Sequence, residues 1–119
     1  MQIDAGPKIR GPRRPRKSLG ERLRAALLEL SGGHGTIERH TERSWASITF
    51  AGTRHTFDLS FDGSEAIEGG ELLIAELTEH EFCIPGQLVA DAAIISADHT
   101  VLPHPQIRVK FELLLLEDA

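Results

Sequence analysis

Six histidines and one cysteine are the side chains of this sequence best suited to chemistry near neutral pH. They are His34, His40, His55, His80, His99, His104 and Cys83. A metal site needs several converging ligands, and their spacing matches neither paired CxxC motifs nor histidines one helical turn apart. We therefore predict no metal site, no cofactor and no catalytic residue, and we lean against an enzyme.

The cysteine and the glycine-rich stretch both have structural explanations. A strand over 80–84 would place His80 and Cys83 on opposite faces, and a lone cysteine in a strand is usually a small apolar residue. Gly32 to Gly35 follow a helix instead of preceding one, so they lack the helix N-terminus that binds phosphate. The sequence has no nucleophile-elbow, P-loop or dinucleotide-binding motif.

His55 is the one histidine placed within an apolar pattern. It falls at the end of the apolar face of a predicted hairpin, next to the space between helices and sheet. It is either a half-buried histidine bonded to the backbone or a pocket residue. The second interpretation gives an alternative function, a small-molecule binding protein or enzyme.

A basic segment precedes an acidic body. Residues 1–30 hold eight Lys/Arg and three Asp/Glu, and the remaining residues hold five and fifteen. Within an arm at 1–17, which is rich in Pro and Gly, five cations are candidate contacts for an anionic partner: Arg10, Arg13, Arg14, Arg16 and Lys17. They suit phosphates of a nucleic acid or an anionic surface. The arm has no aromatic residue to stack on bases, so we favour its docking on an acidic protein surface.

Residues 18–119 form the second predicted unit, a single α+β domain. Ser18 and Glu21 match a capping box, and leucines recur at helical spacing up to Leu30. A second helix is predicted with Asp62 or Ser64 as its N-cap. Gly69-Gly70 inside it indicates either a later start of the helix or close packing on the sheet, and we favour the packing. A short strand over 80–84, a Pro-Gly turn and two long strands (88–97 and 106–117) follow.

The first hairpin is predicted around a Gly52-Thr53 turn, because Gly suits the first central position of a type II′ turn. This turn pairs Phe50 with His55. One face then holds the apolar side chains: Ala46, Ile48, Phe50, His55, Phe57, Leu59 and Phe61. Trp45 projects from the opposite, polar face.

The predicted fold is an antiparallel sheet of about four to five strands, in the order α-β-β-α-β-β, with two helices on one face. In the second hairpin, the face away from the helices is also apolar, with Val89, Ala93, Ile95, Leu114 and Leu116. Apolar surface of this kind is normally covered, either by a partner subunit or by the N-terminal arm, and we favour a partner subunit. The candidate interface residues are Trp45, Val89, Ile95, Leu114 and Leu116.

These observations favour a small non-enzymatic interaction or assembly module that forms a homodimer through its sheet. The second hypothesis is binding of a nucleic acid or an anionic surface through the arm. The third is a small-molecule binding protein or enzyme with a pocket near His55. The 119 residues include no apolar run of membrane-spanning length and no signal-peptide core. We therefore expect a cytoplasmic protein.

Overall fold

Two helices and a four-stranded antiparallel sheet make up residues 18–117, the part of the chain that the computed structural model describes. The helices are α1 (Leu19–Leu30) and α2 (Ser64–Glu76). The strands are β1 (Thr36–Ala46), β2 (Ala51–Asp62), β3 (Gln87–Thr100) and β4 (Gln106–Glu117), in the sheet order β1-β2-β4-β3. The predicted α+β fold and element order are confirmed.

The start of α1 follows directly from its sequence. The Ser18 hydroxyl accepts a hydrogen bond from the Glu21 amide at 3.1 Å, and the Ser18 amide donates to the Glu21 carboxylate at 2.8 Å. This reciprocal capping box satisfies two amides that a helix start leaves unpaired. Leu23 and Leu27, one turn apart, are fully buried and attach the helix to the core.

The core lies between the two helices and one face of the two central strands. Alternate residues of β2 and β4 point into it, and Phe57 stacks on Phe111 with ring centroids 5.3 Å apart. These central-strand residues are all buried: Phe57, Leu59, Phe61, Ile107, Val109, Phe111, Leu113 and Leu115. The alternation that the sequence showed in β2 and β4 is therefore the pattern of a sheet with helices on one side.

Helix α2 reaches this core only because two glycines face its neighbours. A Cβ at Gly69 would collide with the Ser31 carbonyl oxygen at the end of α1, and one at Gly70 would lie 2.9 Å from the Phe61 ring. The predicted close packing is confirmed. The predicted N-cap is wrong: Gly63, at φ 92°, occupies that position, without a side-chain cap.

The register of the first hairpin differs from the predicted one. The turn is at residues 47–50, where the Ser47 amide donates to the Phe50 carbonyl at 2.8 Å, and β1 pairs Glu42 with His55. Ile48 and Phe50 are thus exposed turn residues. Gly52 lies inside β2 instead of in a turn, and a Cβ there would collide with the β4 backbone at Leu115.

The physical reason for this error is the character of β1. Its sequence, TIERHTERSWA, is charged because β1 is an edge strand with most of its side chains in solvent. Charged side chains on edge strands also discourage pairing with other chains. Ile48 and Phe50 are apolar and alternate with polar residues, as expected for a half-buried strand, whereas the sequence of β1 does not show this pattern.

Strand β3 departs from simple alternation at two bulges, between Val89 and Asp91 and between Ile94 and Ser96. Each bulge adds a residue and shifts which side chains face the helices. Val89 therefore packs against the core and is not on the outer face as predicted. Residues 80–84 form no strand, although Gln87 does close the predicted turn by donating to the Ile84 carbonyl at 3.0 Å.

We expect Gly69→Ala to destabilise the protein, although alanine is the better helix former. The added methyl group collides with the Ser31 carbonyl, and overpacking of this kind costs about 1–3 kcal/mol, against a gain in helix propensity of about 1 kcal/mol. Urea unfolding measures the difference. Glu68→Ala, at an exposed neighbouring position, should stay within about 0.5 kcal/mol of wild type. An unchanged or higher stability of Gly69→Ala would refute this packing.

Candidate functional site

Two histidines, His40 and His55, are in contact on the helix-facing side of the sheet. They lie at the edge strand β1, where the apolar core stops. His55 is paired with Glu42 across the β1–β2 ladder, and His40 is paired with Phe57. All four side chains therefore point to the same face, and the His40 ring stacks on the Phe57 ring at a centroid distance of 4.0 Å. The apolar core continues through this contact into a polar cluster.

The polar cluster is a chain of hydrogen bonds from α1 to β2. The Arg24 guanidinium (Nη1) lies 2.8 Å from His40 Nδ1, His40 Nε2 lies 2.9 Å from His55 Nδ1, and His55 Nε2 lies 2.7 Å from Thr53 Oγ1. We call Arg24, His40, His55 and Thr53 the histidine chain. It connects the first helix to the edge of the sheet.

The tautomers in the histidine chain follow from the chemistry of arginine, which can only donate. His40 Nδ1 must therefore accept, so His40 is neutral and carries its proton on Nε2. That N–H donates to His55 Nδ1, which leaves the His55 proton on Nε2, where it donates to the Thr53 hydroxyl oxygen. Both imidazoles are neutral, and every ring nitrogen has a partner.

Burial favours the same neutral state. His55 is fully buried and His40 is partly buried. Desolvation lowers the pKa of His40, and repulsion from His55 and from the Arg24 charge lowers it further, while Glu42 opposes the shift. Desolvation also lowers the pKa of His55, again opposed by the Glu42 carboxylate, which lies 3.8 Å from His55 Nδ1.

His40, Glu42 and His55 are also the one group of three metal-ligand side chains found among residues 18–117. One ligand atom from each lies within 4.8 Å of the others. The sequence indicated no such cluster, because residues 40 and 55 come together only through the true hairpin register. His55 forms hydrogen bonds with the side chains of His40 and Thr53, whereas the sequence predicted a backbone partner. The other histidines, His34, His80, His99 and His104, are exposed.

A second feature is the sheet face away from the helices, which we call the outer face. One residue from each strand forms a row across it at the end where the β1–β2 turn lies: Trp45, Gly52, Leu116 and Leu88. Further along, the rows become charged, and Arg54 pairs with Glu112 at 3.0 Å. The outer face is therefore apolar at one end and charged in its middle.

The predicted interface residues have different positions on this face. Trp45 is partly buried and Ile95 is half exposed, whereas Leu114 and Leu116 are only 9% and 8% exposed. Val89 lies on the opposite face, as described above. Away from the helices, further exposed apolar side chains are Ile48, Phe50 and Leu88 at the apolar end, and Val101 and Leu102 in the β3–β4 loop at the opposite end.

Three further predictions concern other parts of the chain. The anion contacts proposed for Arg10, Arg13, Arg14, Arg16 and Lys17 lie outside the described residues. Cys83 is exposed in the segment between α2 and β3, which makes it a surface residue instead of a small buried one. Neither α1 nor α2 has the length and apolarity needed to cross a membrane.

Comparison with known proteins supports the architecture. No family model and no curated protein matches the sequence. A chain in a structure described as "Virion of native gene transfer agent (GTA) particle" superposes with a TM-score of 0.55, covering 82% of this chain and 91% of that one. Its sequence identity is 14%, so the similarity shows a shared fold.

We expect the free energy of unfolding of chelator-treated protein to fall as the pH is lowered from about 7 to about 5. The pKa of each histidine is below its ordinary value of 6.5 in the folded state and returns to it on unfolding. The unfolded chain therefore binds protons more readily in this window. The stabilisation is complete above about pH 6.5 and is lost as the pH falls towards the lowered folded values.

Urea unfolding at a series of pH values measures this dependence. A His40→Gln/His55→Gln double variant should have a flatter dependence over the same window. His104→Gln, at an exposed loop position, should keep the wild-type dependence. Identical slopes for wild type and the double variant would contradict the assignment of acid sensitivity to the histidine chain.

Proposed function

We propose that this protein is a structural subunit that self-associates through the outer face of its sheet and so builds a larger assembly. The observation that carries the proposal is the exposed apolar surface at one end of that face. Leu88 is 57% exposed on that face, and Phe50 (53%) and Ile48 (fully exposed) lie in the adjoining β1–β2 turn. Exposed apolar clusters of this kind mark interaction sites.

The apolar end is made of residues from all four strands and the adjoining turn. Trp45 and Leu88 occupy the two edges of the row, Leu116 lies between them, and the turn residues extend it beyond the sheet. Aromatic side chains are common at the centre of interfaces. Leu114 and Leu116 are already covered, so we assign direct contact with a partner to the more exposed Ile48, Phe50 and Leu88.

The middle of the outer face suits the rim of such an interface. Arg39, Asp58 and Lys110 follow one another across neighbouring strands, so charges of opposite sign alternate there. Alternating charges fix the register of two approaching copies and contribute little to affinity. An apolar patch bordered by paired charges is the general arrangement of a specific interface.

Val101 and Leu102 add a second apolar site at the opposite end of the sheet. A pair of copies joined through the outer face is the homodimer that the sequence favoured, and it is the smallest assembly that we propose. A second, different contact site allows such units to extend into a ring or filament. The structural similarity to a chain of a virion particle supports an assembly role, since that chain is a component of a multi-part particle.

We expect the wild-type protein to be larger than a monomer in sedimentation velocity at micromolar concentration. A Phe50→Asp/Leu88→Asp double variant should sediment as a monomer, because it places two charges in the apolar end. Leu72→Asp is the matched control, since Leu72 is a similarly exposed leucine (44%) on α2, on the helix side of the molecule.

Circular dichroism spectra that match wild type would establish that the variants fold. Leu72→Asp should keep the wild-type sedimentation coefficient. Two results would overturn the proposal: a wild-type protein that remains monomeric into the tens of micromolar, or dissociation that Leu72→Asp causes as effectively as the double variant.

A further inference from the structure

We propose that His40, Glu42 and His55 bind a zinc ion, or another divalent cation of similar ligand preference, and that Arg24 competes with the ion for the site. Two imidazoles and one carboxylate form a ligand set that zinc accepts, with the fourth position left to water. This site is separate from the outer face and does not depend on the proposed assembly.

The distances are close to those that a bound ion requires. Two ligands 2.0–2.1 Å from a tetrahedral ion lie about 3.3 Å from each other. His40 Nε2 and His55 Nδ1 are 2.9 Å apart, and the Glu42 carboxylate is 3.8 Å from His55 Nδ1. The His40 and Glu42 donors lie within 4.8 Å of each other, so side-chain adjustments of up to about 1.5 Å would place all three donors around one ion. The donors come from paired strands, which fix their relative positions.

His55 is already in the tautomer that ligation needs. Its Nδ1 is unprotonated and faces His40 and Glu42, while its Nε2–H donates to the Thr53 hydroxyl at 2.7 Å. Metal-bound histidines generally donate their second N–H to an oxygen, which fixes the ring orientation. Thr53 provides that oxygen, so an ion at His55 Nδ1 needs no rearrangement on this side.

His40 is in the opposite tautomer, and Arg24 keeps it there. An ion at His40 Nε2 requires the proton to move to Nδ1, where its N–H would face the N–H of Arg24. Two donors cannot share that contact, and the guanidinium charge also repels a cation. Arg24 must therefore withdraw before zinc is fully coordinated, so occupancy of the site is coupled to the contact between α1 and β1.

An ion has a direct route to these ligands. β1 is an edge strand, and the Glu42 side chain is 55% exposed, so the carboxylate can meet a cation from solvent. His40 is partly exposed, while His55 is fully buried behind it. Glu42 also supplies the one negative charge of the ligand set, which offsets part of the charge of the ion.

Zinc affinity of the chelator-treated full chain, measured by competition with a chromophoric zinc indicator, tests the proposal. Arg24→Gln should bind zinc about tenfold or more tightly than wild type, because it removes the guanidinium charge that repels the cation and the N–H that would face His40 Nδ1–H. Arg22→Gln, with the same charge change on the same helix, should bind like wild type. His40→Gln and His55→Gln should each weaken binding by at least about 100-fold in the Arg24→Gln background.

Thermal unfolding with and without zinc provides a second readout. Zinc should raise the melting temperature of Arg24→Gln more than that of wild type. The melting temperature of the His40→Gln/His55→Gln double variant should be the same with and without zinc. The proposal fails if Arg24→Gln and the double variant bind zinc equally. It also fails if a His80→Gln/His104→Gln variant, which replaces two exposed histidines outside the site, loses zinc binding.

Discussion

Everything in this fold depends on the burial of one face of β2 and β4 beneath the two helices. Phe57, Phe61 and Phe111 fill that layer, and α2 approaches it closely because Gly69 and Gly70 present no side chains to Ser31 and Phe61. Two short helices cover one side of a four-stranded sheet, which leaves the other side without an element of residues 18–117 packed across it. The outer face, with its apolar end, follows from this one-sided arrangement.

The same layer explains why polar side chains are buried at its edge. The aromatic stack from Phe111 through Phe57 continues into His40 on the edge strand β1. A buried imidazole needs partners for both nitrogens. Arg24 and Thr53 supply the ends of a chain in which each group donates to the next. The edge strand is thereby attached to α1 by directional bonds, in addition to the packing of Ile37 against the core.

Sequence reasoning succeeded where one local pattern determined the structure. The capping box at Ser18, the alternation in β2 and β4 and the Gly69-Gly70 pair each predicted a feature that the structure contains. It failed where the structure depends on strand partners. The turn at 47–50, the bulges in β3 and the burial of Leu114 cannot be derived from residue order, because several registers satisfy the same alternation. The histidine chain could not be predicted for the same reason, because His40 meets His55 only through the register of the charged edge strand.

The central claim is that the apolar end of the outer face is covered by another copy of the protein. Amide hydrogen exchange, compared at low and high protein concentration, tests it most directly, because exchange reports the cover of each segment separately. The account predicts that protection of the β1–β2 turn and of the first residues of β3 rises with concentration, while protection of α1 and of the exposed face of α2 does not. Exchange that is independent of concentration, or added protection confined to the helices, would contradict it.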